Sequence, residues 1–196
     1  LETGEIRWRY TTDGPIRLAP AYSDGRLYVG SDDGRLYCLD AQDGTELWRF
    51  EAGPRQRRIL GNERLISTWP VRTCPTVIED RIYFSAGVWP FMGVFYHCLD
   101  AQSGELVWSN TAESSNYIEN PHGAYAFSGL TPRGYPALID WSPDETTPSK
   151  SVLAIPGGRT PPGLFDLETG GLLDFQWAKN GSRAWNVTGD GREITA

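Results

Sequence analysis

Apolar and polar residues alternate with a period of two along short runs of this chain, and Asp- and Gly-rich turns separate the runs. Segments 16–22, 26–30, 35–40 and 46–50 are rich in β-branched, aromatic and leucine residues, so each predicts a strand. Ser23-Asp24-Gly25, Ser31-Asp32-Asp33-Gly34 and Gln42-Asp43-Gly44 supply the residues that tight hairpins need where φ turns positive. Alternation assigns Leu27 and Val29 to one face and Arg26 and Tyr28 to the other, and it sets Leu36, Cys38 and Asp40 against Tyr37 and Leu39. A four-stranded antiparallel meander follows. No capped run sustains helical spacing, so the chain is predicted to be all-β.

The meander recurs. Leu39-Asp40-Ala41-Gln42-Asp43-Gly44-Thr45-Glu46-Leu47-Trp48 returns as Leu99-Asp100-Ala101-Gln102-Ser103-Gly104-Glu105-Leu106-Val107-Trp108. The run from Leu1 to Trp8 reads as the tail of an earlier unit, and Phe165-Asp166-Leu167-Glu168-Thr169-Gly170 opens the end of a later one. Turn glycines Gly4, Gly44, Gly104 and Gly170 stand 40, 60 and 66 residues apart. A unit of about 40 residues with insertions has the size of a four-stranded propeller blade. The expected architecture is a partial β-propeller of about three recognisable blades plus terminal fragments. Residues 1–10 form the tail of a preceding blade, 11–53 a blade, 54–110 a blade with insertions, 111–178 a divergent blade and 179–196 the start of another. One such sheet is marginal alone, because both faces carry apolar residues that a neighbour must cover. Trp8, Trp48 and Trp108 each stand four residues after a turn glycine, a fixed place from which an indole can dock on the next blade while its N–H seeks an acceptor.

Together, Tyr28-Val29-Gly30-Ser31, Gly34, Tyr37, Leu39-Asp40-Ala41, Gly44 and Trp48 resemble the pyrroloquinoline-quinone (PQQ) type propeller repeat with its tryptophan-docking motif. The resemblance is most specific over 25–50 and 80–108 and thinner over 134–175, where Asp174 takes the place of the docking Trp and Phe175 or Trp177 is left to replace it. Propellers of that family usually close eight blades, so the resemblance implies an incomplete ring with open edges and uncovered faces. For enzyme members it implies PQQ, calcium held by carboxylate and amide oxygens, an Asp base and often a disulfide between adjacent cysteines. Noncatalytic members include an outer-membrane assembly lipoprotein and sensor domains, and members are usually periplasmic or secreted. Adjacent cysteines are absent here, and no residue matches the calcium or base positions, so neither a metal ligand nor a catalytic residue is assigned.

A second repeat bears on binding. Arg17, Arg72 and Arg133 stand three residues before Pro20, Pro75 and Pro136 at the start of successive units. First strands of a propeller lie nearest the axis, so the resemblance implies that these arginines approach a common channel. Three guanidiniums there suit a planar, carboxylate-bearing ligand, and PQQ is one. The alternative is that each Arg pairs with a neighbouring carboxylate or solvates the channel mouth.

Loops on rigid scaffolds commonly carry binding. Insertion 85–93 offers Trp89 and Phe91 as an aromatic platform for a ligand or partner, or as a cap on the blade's own core; insertion 155–162 offers Arg159. Segment 55–70, with Arg55, Arg57, Arg58 and Arg64, reads as a solvated loop. His97 falls at a strand position equivalent to Tyr37 and reads as packing, whereas His122 sits in a loop that could reach the channel. Asp40, Asp100 and Asp166 recur at one place in the repeat, as turn-bonding residues do.

Composition narrows the classes that remain. The 196 residues carry 18 Lys and Arg against 25 Asp and Glu, a net charge of −7, with only two lysines, which argues against a nucleic-acid surface. No apolar run approaches the length of a membrane helix, and 22 Gly and 14 Pro follow no collagen period. Cys38, Cys74 and Cys98 match neither a metal knuckle nor a complete disulfide framework and read as buried free thiols. The chain begins at Leu1 without an initiator Met or leader and reads as a segment of something longer. Two functions are expected to compete. One is a scaffold that binds a small anionic ligand or a protein partner, completed by the remaining blades of a parent chain and lacking a full catalytic site. The other is part of a PQQ- and calcium-dependent alcohol or aldose dehydrogenase.

Overall fold

Short turns with a residue at positive φ fold the chain back on itself wherever the pattern predicts a hairpin. Asp24 (φ 47°) and Gly25 (φ 76°) join β1 (Ala21–Ser23) to β2 (Arg26–Gly30), and β3 (Arg35–Asp40) and β4 (Glu46–Glu51) complete a four-stranded sheet in the order β1-β2-β3-β4. The computed structural model describes residues 4–61, 63–111, 116–119, 123–157, 162–175, 186–188 and 193–195. Its second blade joins β7 (Thr76–Ile78), β8 (Arg81–Ala86), β9 (Phe95–Asp100) and β10 (Leu106–Asn110); its third joins β13 (Ala137–Trp141), β14 (Lys150–Ile155), β15 (Gly163–Phe165) and β16 (Leu172–Asp174). All three sheets are antiparallel meanders. The first strand of the first blade is three residues long, shorter than the apolar run 16–22 predicts. Residues 17–20 instead form an irregular lead-in with a bend at Leu18, and the Ala19 carbonyl meets Cys74 of the next blade.

Two hairpins stand between the blades: β5 (Arg58–Gly61) with β6 (Arg64–Ser67), and β11 (Asn116–Glu119) with β12 (Tyr125–Ser128). The first corrects the expectation of a solvated loop over 55–70. Ile59 and Ile66 pair across it, and the Ser67 N–H donates to the Asp32 carbonyl at 2.7 Å, so the segment is anchored to the first blade. Trp69 then plugs the joint, buried between blades with Nε1 donating to the Met92 carbonyl at 2.7 Å. A further hairpin, β17 (Asn186–Thr188) and β18 (Glu193–Thr195), lies near the end of the chain.

Strand faces sort as alternation requires. Tyr28, Leu36 and Cys38 look toward the second blade and pack with Ile82, Phe84 and Leu99, whereas Val29, Tyr37 and Leu39 look the other way. That other face is not left open: Trp8 and Tyr10 of the N-terminal tail cover it. Tyr83, Tyr96, Cys98 and Trp108 of the second blade pack against Leu153, Ile155 and Phe165 of the third.

Each joint between sheets uses the same parts. Trp8 donates its indole N–H to the Ala41 carbonyl at 3.2 Å, Trp48 to that of Gln102 at 3.0 Å and Trp108 to that of Leu167 at 2.9 Å. Each ring lies on the turn glycine of the sheet it meets: a methyl at Gly44 would sit 2.5 Å from Trp8 Cε3, and one at Gly104 would sit 2.6 Å from Trp48 Cδ2. Glycine is required twice over there, for its positive φ and for the indole's approach. Asp40, Asp100 and Asp166 hold these turns by accepting from the backbone N–H groups of Gln42, of Gln102 and Ser103, and of Glu168 and Thr169. In the third blade Asp174 pairs with Leu164 where Trp48 pairs with Cys38 and Trp108 with Cys98. Phe175, one residue farther, is buried in the cluster between the second and third blades, so it does not replace the indole on the outward side. Trp177 lies outside the described residues.

Candidate functional site

The Arg-x-x-Pro lead-ins of the three blades lie side by side. Thr73 and Gly134 form a parallel bridge, the Cys74 N–H donates to the Gly134 carbonyl at 2.6 Å, and Cys74 Sγ donates to the Ala19 carbonyl at 3.3 Å. Thr76 Oγ1 extends the contact to the Pro136 carbonyl at 3.3 Å. Parallel backbones place like residues at like heights, and this alignment brings Arg17, Arg72 and Arg133 to one end of the lead-ins.

At that end a single carboxylate is buried. Asp32 is 1% exposed, and its backbone is pinned on both sides: its N–H donates to the Pro15 carbonyl at 2.9 Å and its carbonyl accepts from Ser67. Arg17 Nε approaches Asp32 Oδ2 at 2.6 Å. Arg72 Nη2 donates to the same oxygen at 3.3 Å, while its Nε stands 2.9 Å from Oδ1 as an ionic contact without hydrogen-bond alignment. Pairing with a carboxylate therefore describes Arg17 and Arg72, which share one partner. Arg133 is exposed, its backbone N–H donates to the Pro156 carbonyl at 3.0 Å, and among the described residues its guanidinium has no carboxylate within ion-pair distance. Burial pushes the Arg72 guanidinium below its ordinary pKa, the neighbouring positive charges of Arg17 and Arg133 push it further, and Asp32 opposes them. Arg17 and Arg72 thus share one buried carboxylate, and the charge of Arg133 is felt at Arg72.

The β5–β6 hairpin closes one side. Pro15, Arg17, Glu63 and Arg64 line a cavity of about 530 Å³ that opens beside the Arg17–Asp32 pair. Neither Asp32 nor Arg64 stands out in the sequence. The signal for Asp32 was its doubling: Asp33 alone serves the turn, accepting from the Arg35 N–H at 3.0 Å and the Tyr37 hydroxyl at 2.6 Å, which leaves Asp32 without a local duty.

The loop candidates separate. Trp89 and Phe91 flank and enter a 3₁₀ turn (Pro90–Met92), stack on each other at 6.2 Å and are 52% and 62% exposed, so they do not cap the blade's core. They lie apart from the arginine lead-ins, beside β12. His122 and Arg159 lie outside the described residues. His97 is buried among Phe50, Phe84 and Phe95, and its Nε2 donates to the Ala52 carbonyl at 2.9 Å; burial pulls its pKa down to about 4. That is a neutral packing histidine. Cys38, Cys74 and Cys98 are free and buried, which raises all three thiol pKa values, that of Cys98 to about 11. Among the described residues no cluster of three or more His, Cys, Asp or Glu side chains could hold a metal ion.

Repeated four-stranded sheets packed face to face and joined through indole docks define a repeat β-propeller. The family model described as outer membrane protein assembly factor BamB matches residues 1–68. The dehydrogenase subunit of a quinone alcohol dehydrogenase from Gluconobacter oxydans (strain 621H) is 28% identical over 146 residues, covering 68% of this chain and 19% of that protein. Outer membrane protein assembly factor BamB from Nitrosomonas eutropha is 21% identical over 193 residues, covering 98% of this chain and 39% of that protein. Among solved structures, the computationally designed Ika4 protein aligns with TM-score 0.53 at 15% identity, covering 98% of this chain and 96% of that one. Quinohemoprotein alcohol dehydrogenase from Comamonas testosteroni aligns with TM-score 0.51 at 14% identity, covering 93% and 41%. The chain is a partial repeat β-propeller similar to PQQ-like repeat proteins, with the family match lying over residues 1–68. It spans about a fifth of the length of the quinone alcohol dehydrogenase subunit and about two fifths of that of the BamB relative.

Proposed function

We propose that this segment is a propeller scaffold that binds a small carboxylate-bearing ligand where Arg17, Arg72 and Arg133 meet, without a complete catalytic site of its own. The observation that carries this reading is the unequal balance around Asp32, where one buried carboxylate answers both Arg17 and Arg72 while Arg133 is left unpaired among the described residues. An incoming carboxylate would find paired N–H donors in fixed geometry on segments already aligned by backbone bonds. The names of the relatives favour a second reading, in which the segment belongs to a quinone-dependent alcohol dehydrogenase and residues elsewhere in a longer chain complete the centre. A periplasmic or extracellular setting accords with relatives named for outer membrane assembly.

Titration with PQQ, with and without calcium and followed by tryptophan fluorescence, tests both readings. Saturable binding weakened about tenfold by Arg133→Ala supports the scaffold reading. Dependence of that binding on calcium moves the assignment to the dehydrogenase. Absence of binding by the folded protein to PQQ and to citrate overturns ligand binding at this site.

A further inference from the structure

Hairpin β5–β6 brings a second pair of charges to the same end of the molecule. Its turn carries Glu63 at φ 61°, a left-handed conformation that Gly or Asn adopts at less cost, and Arg64 follows it on β6. Both residues line the cavity of about 530 Å³ together with Pro15 and Arg17. That volume lies within the range of small-ligand sites. Arg17 spends Nε on Asp32, yet its side chain remains 35% exposed and lines the cavity. Among the described residues Arg64 has no carboxylate within ion-pair distance, and Glu63 has no cation. Two arginines lining one cavity suit a carboxylate-bearing ligand. A glutamate beside them would repel a plain polyanion, yet it accepts from a hydroxyl or ammonium carried on the same ligand.

We infer that this cavity is the specificity pocket of the anion site: Arg17 and Arg64 clamp a carboxylate, Glu63 accepts a hydrogen bond from an adjacent hydroxyl or ammonium, and the ligand is therefore a hydroxy- or amino-carboxylate. This rests on the ligand-binding reading above and adds the class of ligand. Glu63 and Arg64 hold their places through a hairpin whose other end is tied to Asp32, so the pocket and the buried ion triad form one rigid unit.

The matched probes are citrate and propane-1,2,3-tricarboxylate, which differ by one hydroxyl, titrated calorimetrically into the full chain. The wild-type protein is expected to prefer citrate by about tenfold, Glu63→Ala to abolish that preference and Arg64→Ala to weaken both probes about tenfold. Arg133→Ala serves as the control for the underlying reading and weakens both probes without altering their ratio. Equal affinity for the two probes in the wild type, or variants at Glu63 and Arg64 that bind like it while Arg133→Ala still weakens both, overturns the pocket and leaves the arginine site standing. Binding of neither probe overturns both. Unchanged thermal unfolding of the two exposed-site variants shows that a lost affinity is not lost fold.

Discussion

The blade joints and the arginine end are both built from sequence repeats, but they use repetition differently. At the joints, Trp8, Trp48 and Trp108 find the same surroundings three times: an indole on a turn glycine and an N–H on a carbonyl two or three residues before it. Tyr28 and Tyr83 repeat the theme, bonding the Ala101 and Leu167 carbonyls. At the arginine end the same spacing produces three unlike residues. Arg17 and Arg72 share Asp32, and Arg133 has no such partner among the described residues. Equivalent residues in equivalent surroundings serve assembly; equivalent residues in unequal surroundings leave charge uncompensated, and uncompensated charge is what a ligand can use.

This contrast breaks most visibly at a joint. Trp108→Ala is expected to cost about 3–5 kcal/mol in urea unfolding, because it removes a buried indole and leaves the Leu167 carbonyl without its donor. Asp32→Ala should cost about 3 kcal/mol, since it strands two half-buried guanidiniums, and a double variant with Arg72→Ala should recover part of that loss. His97 probes the packing between the first two blades through pH. Below pH 6.5 the unfolded chain takes up a proton that the folded protein refuses until about pH 4, so stability falls by about 1.4 kcal/mol per pH unit across that window. The total is about 3 kcal/mol, and His97→Phe should flatten that slope. Arg133→Ala is the smallest on this scale: a change below about 0.5 kcal/mol in unfolding would separate it from Asp32, and a loss as large as that of Asp32→Ala would make the arginine end structural throughout.

Much of the fold is legible in the residues because it is local. Period-two alternation sorts Leu27 and Val29 from Tyr28, and Asp-Gly turns fix where strands reverse. The arginine lead-ins are legible as a spacing. Their counter-ion is not, because Asp32 sits in a turn that Asp33 and Gly34 already account for, and its burial is imposed by Pro15 and Ser67 from distant parts of the chain. Hairpin β5–β6 hides for another reason: Arg58 and Arg64 at its outer positions look solvated, and only the cross-strand Ile59–Ile66 pair marks a buried side. Phe175 shows how far one residue of register matters. The bulge that sets Trp48 opposite Cys38 and Trp108 opposite Cys98 also sets Asp174 opposite Leu164, and the next side chain turns back toward the second blade.

The joint of indole, glycine and carbonyl works as a standard connector, with the plug on the last strand of one sheet and the socket in the last turn of the next. A connector of that kind lets a gene lengthen by copying: a tandem duplicate of residues 11–53 would carry Trp48 as plug and Gly44 as socket, and would seat against its own parent. The third blade breaks the standard. With Asp174 in the plug position it has a socket in Gly170 but, among the described residues, no indole on its last strand, so a copy of that blade would meet a neighbour with a carboxylate where the other blades offer an indole.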